Sequence, residues 1–231
     1  MTKIRPAQFD PFGWSERLLS PRQLHLLIRA AAVAVLAVFL VHRLGQFRVY
    51  FFKPLWVVET LIFAVFIIAY AIRANPVDRS RGAKEILVPL VGAVLPFALL
   101  LSPPADLVAR IPLRAYFLFS WMTLSTAFTV WGLWSLRRSF SITVEARNVV
   151  TSGPYRRIRH PVYLGEIMTA AAVMIWRWST LNLTVFAVFT AVQLLRARWE
   201  EEKLCRVLPG YRPYASNAWW FWRSGKVRRR F

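Results

Sequence analysis

Two segments of the chain concentrate the side chains that can do chemistry. The first, residues 152–166, contains a Gly153-Pro154 turn and then Arg159, His160 and Pro161 in succession. Pro161 favours an extended backbone at His160 and can itself begin the next helix. We therefore expect Arg159 and His160 at a helix N-terminus, where free N–H groups and the helix dipole favour a carboxylate or a phosphate.

The second segment, residues 196–204, continues an apolar run that is long enough to enter a membrane. On a helix, Arg196, Glu200 and Leu204 share one face because they are four residues apart. A plainer interpretation is that Arg196 and Glu200 form a solvated pair, worth only about 0.3–0.5 kcal/mol. The helix is expected to end near Pro209 and Gly210, just before two tyrosines.

Together the two segments offer cations, an imidazole, carboxylates and aromatic rings. The functional groups of S-adenosylmethionine are complementary to this set of side chains. Its carboxylate suits Arg, His or helix N–H groups, its ammonium and ribose hydroxyls suit Glu, and its adenine suits an aromatic slot. The sequence therefore favours a pocket for this cofactor.

The elements that must position these residues are apolar runs. A helix crosses a bilayer with about 20 mainly apolar residues, and 57% of this chain is hydrophobic, above the roughly 45–50% of soluble domains. The chain is thus predicted to be an all-α integral membrane protein with five or six transmembrane helices. The third run contains Pro89 and Pro96, which leave open whether it crosses. The runs are residues 24–44, 55–72, 86–101, 115–136, 162–176 and 178–195.

The charge distribution predicts the orientation. The chain has 31 Lys and Arg against 11 Asp and Glu, and the basic residues gather in the stretches that six crossings would leave on one side. By the positive-inside rule both termini and the C-terminal pocket are cytoplasmic. Most of these cations are expected to set topology and contact anionic lipid. Nucleic-acid binding is disfavoured, and a lone Cys205 with three scattered histidines predicts neither a disulfide nor a metal site.

The two segments carry an extended motif. The first contains Gly-Pro-Tyr-Arg-x-x-Arg-His-Pro-x-Tyr-x-Gly, and the second contains Arg-x-x-x-Glu-Glu-x-x-Leu followed by Tyr-x-x-Tyr. Over about residues 140–215 this pattern resembles the isoprenylcysteine carboxyl methyltransferase family, which is related to the membrane phospholipid N-methyltransferases. The matching residues are Gly153, Pro154, Tyr155, Arg156, Arg159, His160, Pro161, Tyr163, Gly165, Arg196, Glu200, Glu201, Leu204, Tyr211 and Tyr214.

The resemblance implies a membrane methyltransferase that uses S-adenosylmethionine and takes a lipophilic acceptor laterally from the bilayer. That acceptor is the carboxylate of an isoprenyl-cysteine-like or prenylated substrate, or a lipid amine. By analogy Arg196, Glu200 and Glu201 act in catalysis or hold the acceptor. The cofactor-binding residues implied in the same way are Tyr155, Arg159, His160, Tyr163, Gly165, Glu200, Tyr211 and Tyr214.

Two other functions remain open at this stage. The run Arg-His-Pro-x-Tyr-x-Gly-Glu also resembles the NADPH-dependent membrane sterol reductases, and a non-catalytic membrane scaffold is the third interpretation. Glu166 is interpreted as either functional or helix-pairing, and Glu59 as a partner of Arg or His at the membrane edge. The oligomeric state stays open.

The chain divides by composition into four parts. A basic N-terminal segment, 1–23, precedes the first four apolar runs, 24–136. A methyltransferase-like region, 137–215, includes a helical hairpin, and residues 216–231 form an aromatic and basic tail. The catalytic region is therefore expected in the last third of the protein.

Overall fold

The computed structural model describes residues 21–72, 82–140 and 148–222, and within these it is helical with no β-strand. The basic segments 1–20, 73–81 and 223–231 lie outside the described residues. The predicted all-α class is confirmed. The α-helices are α1 (Pro21–Gly45), α2 (Lys53–Ile72), α3 (Gly82–Val94), α4 (Asp106–Ala109), α5 (Pro112–Leu136), α6 (Pro161–Trp176), α7 (Thr180–Val207) and α8 (Tyr211–Asn217), with 3₁₀ helices at Leu95–Leu101, Arg137–Ser139 and Gly153–Arg156.

Two of the helices, α2 and α7, are long and apolar enough to cross a membrane by length and composition. Large apolar side chains also cover the outside of the bundle. Val38, Leu101 and Leu124 are 70%, 77% and 72% exposed, respectively. A contiguous apolar exterior of this kind is unfavourable in water and suits a hydrocarbon environment. The structure therefore has the character of a membrane-associated protein.

The helices pack in a definite order. Helix α2 lies between α1 and α5, α5 packs on α6, α6 on α7, and α7 on α3. The closest approach is between α5 and α6, where Gly132 of α5 faces the Val162 side chain and Gly165 of α6 faces Thr129. Because neither glycine has a Cβ, the two backbones come close together.

The third apolar run is a broken helix. Helix α3 contains Pro89 and ends at Val94, and Leu95–Leu101 continues as a 3₁₀ helix with Pro96 in its first turn. Proline removes a backbone donor and crowds the preceding turn, which explains the break. The side-chain amide of the fully buried Asn182 holds this segment against the turn before α7, by donating to the carbonyls of Leu99 at 3.0 Å and Arg177 at 2.7 Å.

Charged pairs join helices at two further places. Lys203 of α7, which is 1% exposed, donates to Glu85 of α3 at 2.6 Å. Arg43 of α1 pairs with Glu59 of α2, and the Tyr50 hydroxyl donates to the same carboxylate at 2.8 Å. The expected partnership of Glu59 with a basic residue is therefore seen in the structure.

Replacing Gly165 by Ala tests the close packing of α5 and α6. A Cβ at this position would lie 2.2 Å from Thr129 Oγ1 and 3.0 Å from the Ser125 carbonyl oxygen. We expect Gly165→Ala to lower the free energy of unfolding in detergent by about 1–3 kcal/mol, because a helix must shift. Gly45→Ala is the control, since no atom lies within 4 Å of its Cβ. Equal melting temperatures for the two variants would contradict this packing.

Candidate functional site

The loop before α6 is held by the segment that follows α8. Ile158 forms an isolated parallel bridge with Trp219, in which the Arg159 N–H donates to the Trp219 carbonyl at 3.0 Å. On its other side the loop turns at Gly153, whose φ of +59° favours glycine and whose missing Cβ leaves room for Ser135. These contacts place Arg159 and His160 at the start of α6, with Pro161 in its first turn as predicted.

A buried ion pair lies under this loop. The Arg159 Nη1 atom donates to Glu201 Oε1 at 2.7 Å, and the two side chains are only 2% and 5% exposed. The indole N–H of Trp222 donates to the other oxygen of Glu201 at 2.9 Å, and Arg159 donates to the main-chain oxygen of Trp222. The pair is therefore hydrogen-bonded on both sides, which burial of charge requires.

His160 sits between Glu200 and Glu201 of α7. Its Nε2 atom is 3.1 Å from Glu201 Oε1, and its Nδ1 atom is 3.8 Å from Glu200 Oε2. The imidazole ring stacks on the Tyr163 ring with centroids 5.6 Å apart, and the Tyr163 hydroxyl donates to Glu200. Trp220 covers the imidazole from another side at 4.9 Å.

Arg196 joins the same group from within the helical pair. It is 5% exposed, and its guanidinium carbon lies 4.8 Å from the centre of the Tyr163 ring. This contact has cation–π geometry. A solvated surface pair with Glu200, the plainer interpretation of the spacing, does not fit so buried an arginine.

Two tyrosines of α8 form the remaining wall. The Tyr214 hydroxyl donates to the Tyr155 carbonyl at 2.7 Å, and burial raises the pKa of Tyr214 to about 12. Burial also raises the pKa of Tyr211 and of Tyr155, with Glu201 and Glu200 respectively adding to the effect. The Tyr211 hydroxyl is buried and has no hydrogen-bond partner among the residues that the structure describes. These phenols therefore stay neutral donors at physiological pH.

Most of these groups open onto one cavity of about 600 Å³, while Glu201, Trp220 and Trp222 lie behind its wall. Its polar end is formed by the α6 N-terminus, the upper part of α7 and helix α8. Its other end is mainly apolar, apart from Glu59, and is lined by residues of α2 and of the 3₁₀ helix that follows α3. The polar end is lined by Tyr155, Arg159, His160, Tyr163, Glu166, Arg196, Glu200, Tyr211 and Tyr214, and the apolar end by Ile62, Phe63, Phe97, Leu100, Val173 and Phe189.

Most of the residues singled out from the sequence thus meet around the polar end. Two lie elsewhere: Glu201 sits behind Arg159 and His160, and Gly165 packs against α5 at Thr129. Trp220 and Trp222 also contact this group of residues, although the motif in the sequence does not include them. A signal was present, because Trp219 and Phe221 are half exposed while Trp220 is 5% exposed, the alternation of an extended segment with one buried face.

A comparison with known families identifies a similarity in the second half of the chain. Residues 114–208 match the family model PEMT, phospholipid methyltransferase. These residues are therefore similar to a phospholipid methyltransferase domain. The resemblance found in the sequence, in which that family was named as a relative, is confirmed. No curated protein and no solved structure matches the chain.

The matched region covers nearly all of α5 and the whole of α6 and α7, and so includes the Arg-His-Pro motif together with Glu200 and Glu201. The match supports a membrane methyltransferase of the phospholipid or isoprenylcysteine type. The segment after residue 208, which supplies Tyr211, Tyr214 and Trp222, completes the site from outside the matched region.

Removing the Glu201 carboxylate tests the buried ion pair. We expect Glu201→Ala to lower the free energy of unfolding by about 3–5 kcal/mol, because Arg159 is left charged and unpaired in a buried position. Glu202→Ala is the matched control, since Glu202 forms an exposed pair with Arg198 worth less than about 1 kcal/mol. Unfolding in detergent, followed by tryptophan fluorescence, measures both, and similar losses would refute the assignment.

The raised pKa of Tyr214 predicts alkaline sensitivity. An ordinary tyrosine ionises near pH 10, so the unfolded state loses this proton first and stability falls as the pH rises from about 10 to about 12. Below that window the contribution of Tyr214 is fully present. Phenolate absorbance should show its late ionisation as a component that Tyr214→Phe removes. An unchanged titration curve in the variant would contradict the burial of this hydroxyl.

Proposed function

We propose that this protein is a membrane-embedded S-adenosylmethionine-dependent methyltransferase that acts on a lipophilic acceptor. The observation that carries the proposal is one cavity that joins a polar end to an apolar end and takes part of its lining from the matched residues 114–208. The two substrates of such a reaction, one polar and one lipophilic, need these two environments side by side.

The polar end suits the cofactor by its chemistry. Tyr211 lines the cavity, and its Oη atom is buried without a hydrogen-bond partner among the described residues, so it remains available to a ligand. Arg159, His160 and the N-terminus of α6 would hold a carboxylate. Glu200 would accept hydrogen bonds from an ammonium or ribose hydroxyls, and the rings of Tyr155 and Tyr211 would pack on the adenine.

The apolar end suits an acceptor that arrives from the bilayer. Phe97 and Leu100 line the cavity and are also 66% and 54% exposed on the outside of the bundle. Helix α2 faces them across the cavity through Ile62 and Phe63. We infer that this side opening admits the hydrocarbon part of the acceptor, because its walls match a hydrocarbon environment.

Methyl transfer from S-adenosylmethionine would require mainly that the two reactants are aligned and that water is excluded. When bound, S-adenosylmethionine supplies an activated methyl group on a sulfonium. The chain's side chains would orient the reactants and keep the site dry. A carboxylate acceptor needs no base. For an amine acceptor, Glu200 or His160 would take the proton, and their contact with each other would keep both within reach.

The membrane arrangement is part of the proposal. Five or six of the helices would cross, with both termini and the polar end of the cavity in the cytoplasm. Support comes from the two long apolar helices, from the apolar exterior and from the distribution of Lys and Arg. The basic segments would contact anionic lipid headgroups.

Cofactor-dependent stabilisation is the first test. We expect S-adenosylmethionine to raise the melting temperature of the purified protein in detergent, because a ligand stabilises the state that binds it. NADPH should have no effect. His160→Ala and Glu200→Gln should each reduce the shift, since both side chains line the polar end. The exposed variant Glu202→Gln should keep it.

Transfer of the methyl group is the second step of the same test. Methyl-labelled S-adenosylmethionine is incubated with the protein, with membrane lipids and with an S-prenyl cysteine analogue, and lipophilic products are counted. Label in the lipid amine fraction or in the prenyl analogue identifies the acceptor class. Stabilisation by NADPH alone would overturn the proposal in favour of a reductase.

A further inference from the structure

The cavity wall contains a second polar group that the Arg-His-Pro motif does not include. Glu166 lies on α6 one turn beyond Tyr163 and lines the cavity where its polar end meets its apolar end. Gln193 lies opposite on α7 and is 1% exposed. An acidic side chain and an amide between two apolar helices are costly, and such residues are characteristically functional.

Gln193 bridges Glu166 and Arg196. Its Nε2 atom donates to Glu166, and its Oε1 atom accepts from Arg196 Nη1 at 2.8 Å. The Gln193 amide therefore donates a hydrogen bond to Glu166 and accepts one from Arg196. It couples the orientation of the guanidinium to the acidic residue of the neighbouring helix.

The guanidinium of Arg196 also contacts the residues at the polar end of the cavity. Arg196 lies over the Tyr163 ring, and the Tyr163 hydroxyl donates to Glu200. A continuous chain of contacts thus runs from Glu166 through Gln193, Arg196 and Tyr163 to Glu200. The arginine side chain is long and has several rotatable bonds. A guanidinium in a cavity wall therefore needs hydrogen-bond partners to keep one orientation.

We propose that Glu166 and Gln193 are positioning residues that hold the guanidinium of Arg196 against Tyr163 and so shape the cofactor end of the cavity. This inference rests on the proposed function. It assigns Glu166 a role in the site, one of the two roles that its sequence position allowed. Helices α5 and α6, by comparison, are joined by a simpler polar contact, the hydrogen bond between the hydroxyls of Ser125 and Thr169 at 2.8 Å.

Affinity for S-adenosylmethionine measured by calorimetry on the full chain tests this network without any acceptor. We expect Glu166→Gln and Gln193→Leu each to raise the dissociation constant about tenfold, the effect of losing a hydrogen bond to a charged group. The exchange variant, Glu166→Gln with Gln193→Glu, keeps one acid and one amide and places the acid beside Arg196. It should bring the constant back to within about threefold of the original.

Melting temperatures of the same variants separate positioning from folding, and Glu202→Gln is the matched control on the exposed face of α7. If the single variants have lower melting temperatures but unchanged affinity for S-adenosylmethionine, Glu166 and Gln193 only stabilise the packing of α6 on α7. That result would overturn the inference. A folded exchange variant that stays as weak as the single variants would also count against it. If the unaltered protein binds no S-adenosylmethionine at all, the proposed function itself fails.

Discussion

The buried carboxylate of Glu201 is the point on which the architecture of the site depends. Arg159 and His160 from the loop before α6, and the indole of Trp222 from the C-terminal segment, all meet this one side chain of α7. Removing any partner would leave a charge or a donor buried without compensation, which costs more than the pair itself contributes. Three stretches far apart in the chain are therefore held in one arrangement.

Close backbone packing of α5 and α6 supplies the second condition. Gly132 and Gly165 let the two helices approach until side chains of one touch the main chain of the other. This contact fixes where α6 begins relative to α5, and with it the position of His160 and Tyr163 over the cavity. Gly165 of the motif therefore contributes through packing.

The cavity changes character over a short distance, and this change explains how one site can serve two unlike molecules. Charged and phenolic groups crowd one end, and aliphatic and phenyl groups form the other. Glu166 and Arg196 stand at the boundary between them. In the proposed methyltransferase, the cofactor and the reacting end of the acceptor meet here, so the residues at the boundary set the alignment on which the rate depends.

The sequence by itself determined the helical class, the approximate helices and most residues of the site, because hydrophobic runs, proline positions and a long motif are local signals. Only the tertiary structure decided three things: that Trp220 and Trp222 belong to the site, that Gly165 packs against α5, and that Gln193 bridges Glu166 and Arg196. Each is a contact between elements distant in sequence or on different helices. Local spacing carries no information about which faces meet, since that depends on how the whole bundle buries its polar groups.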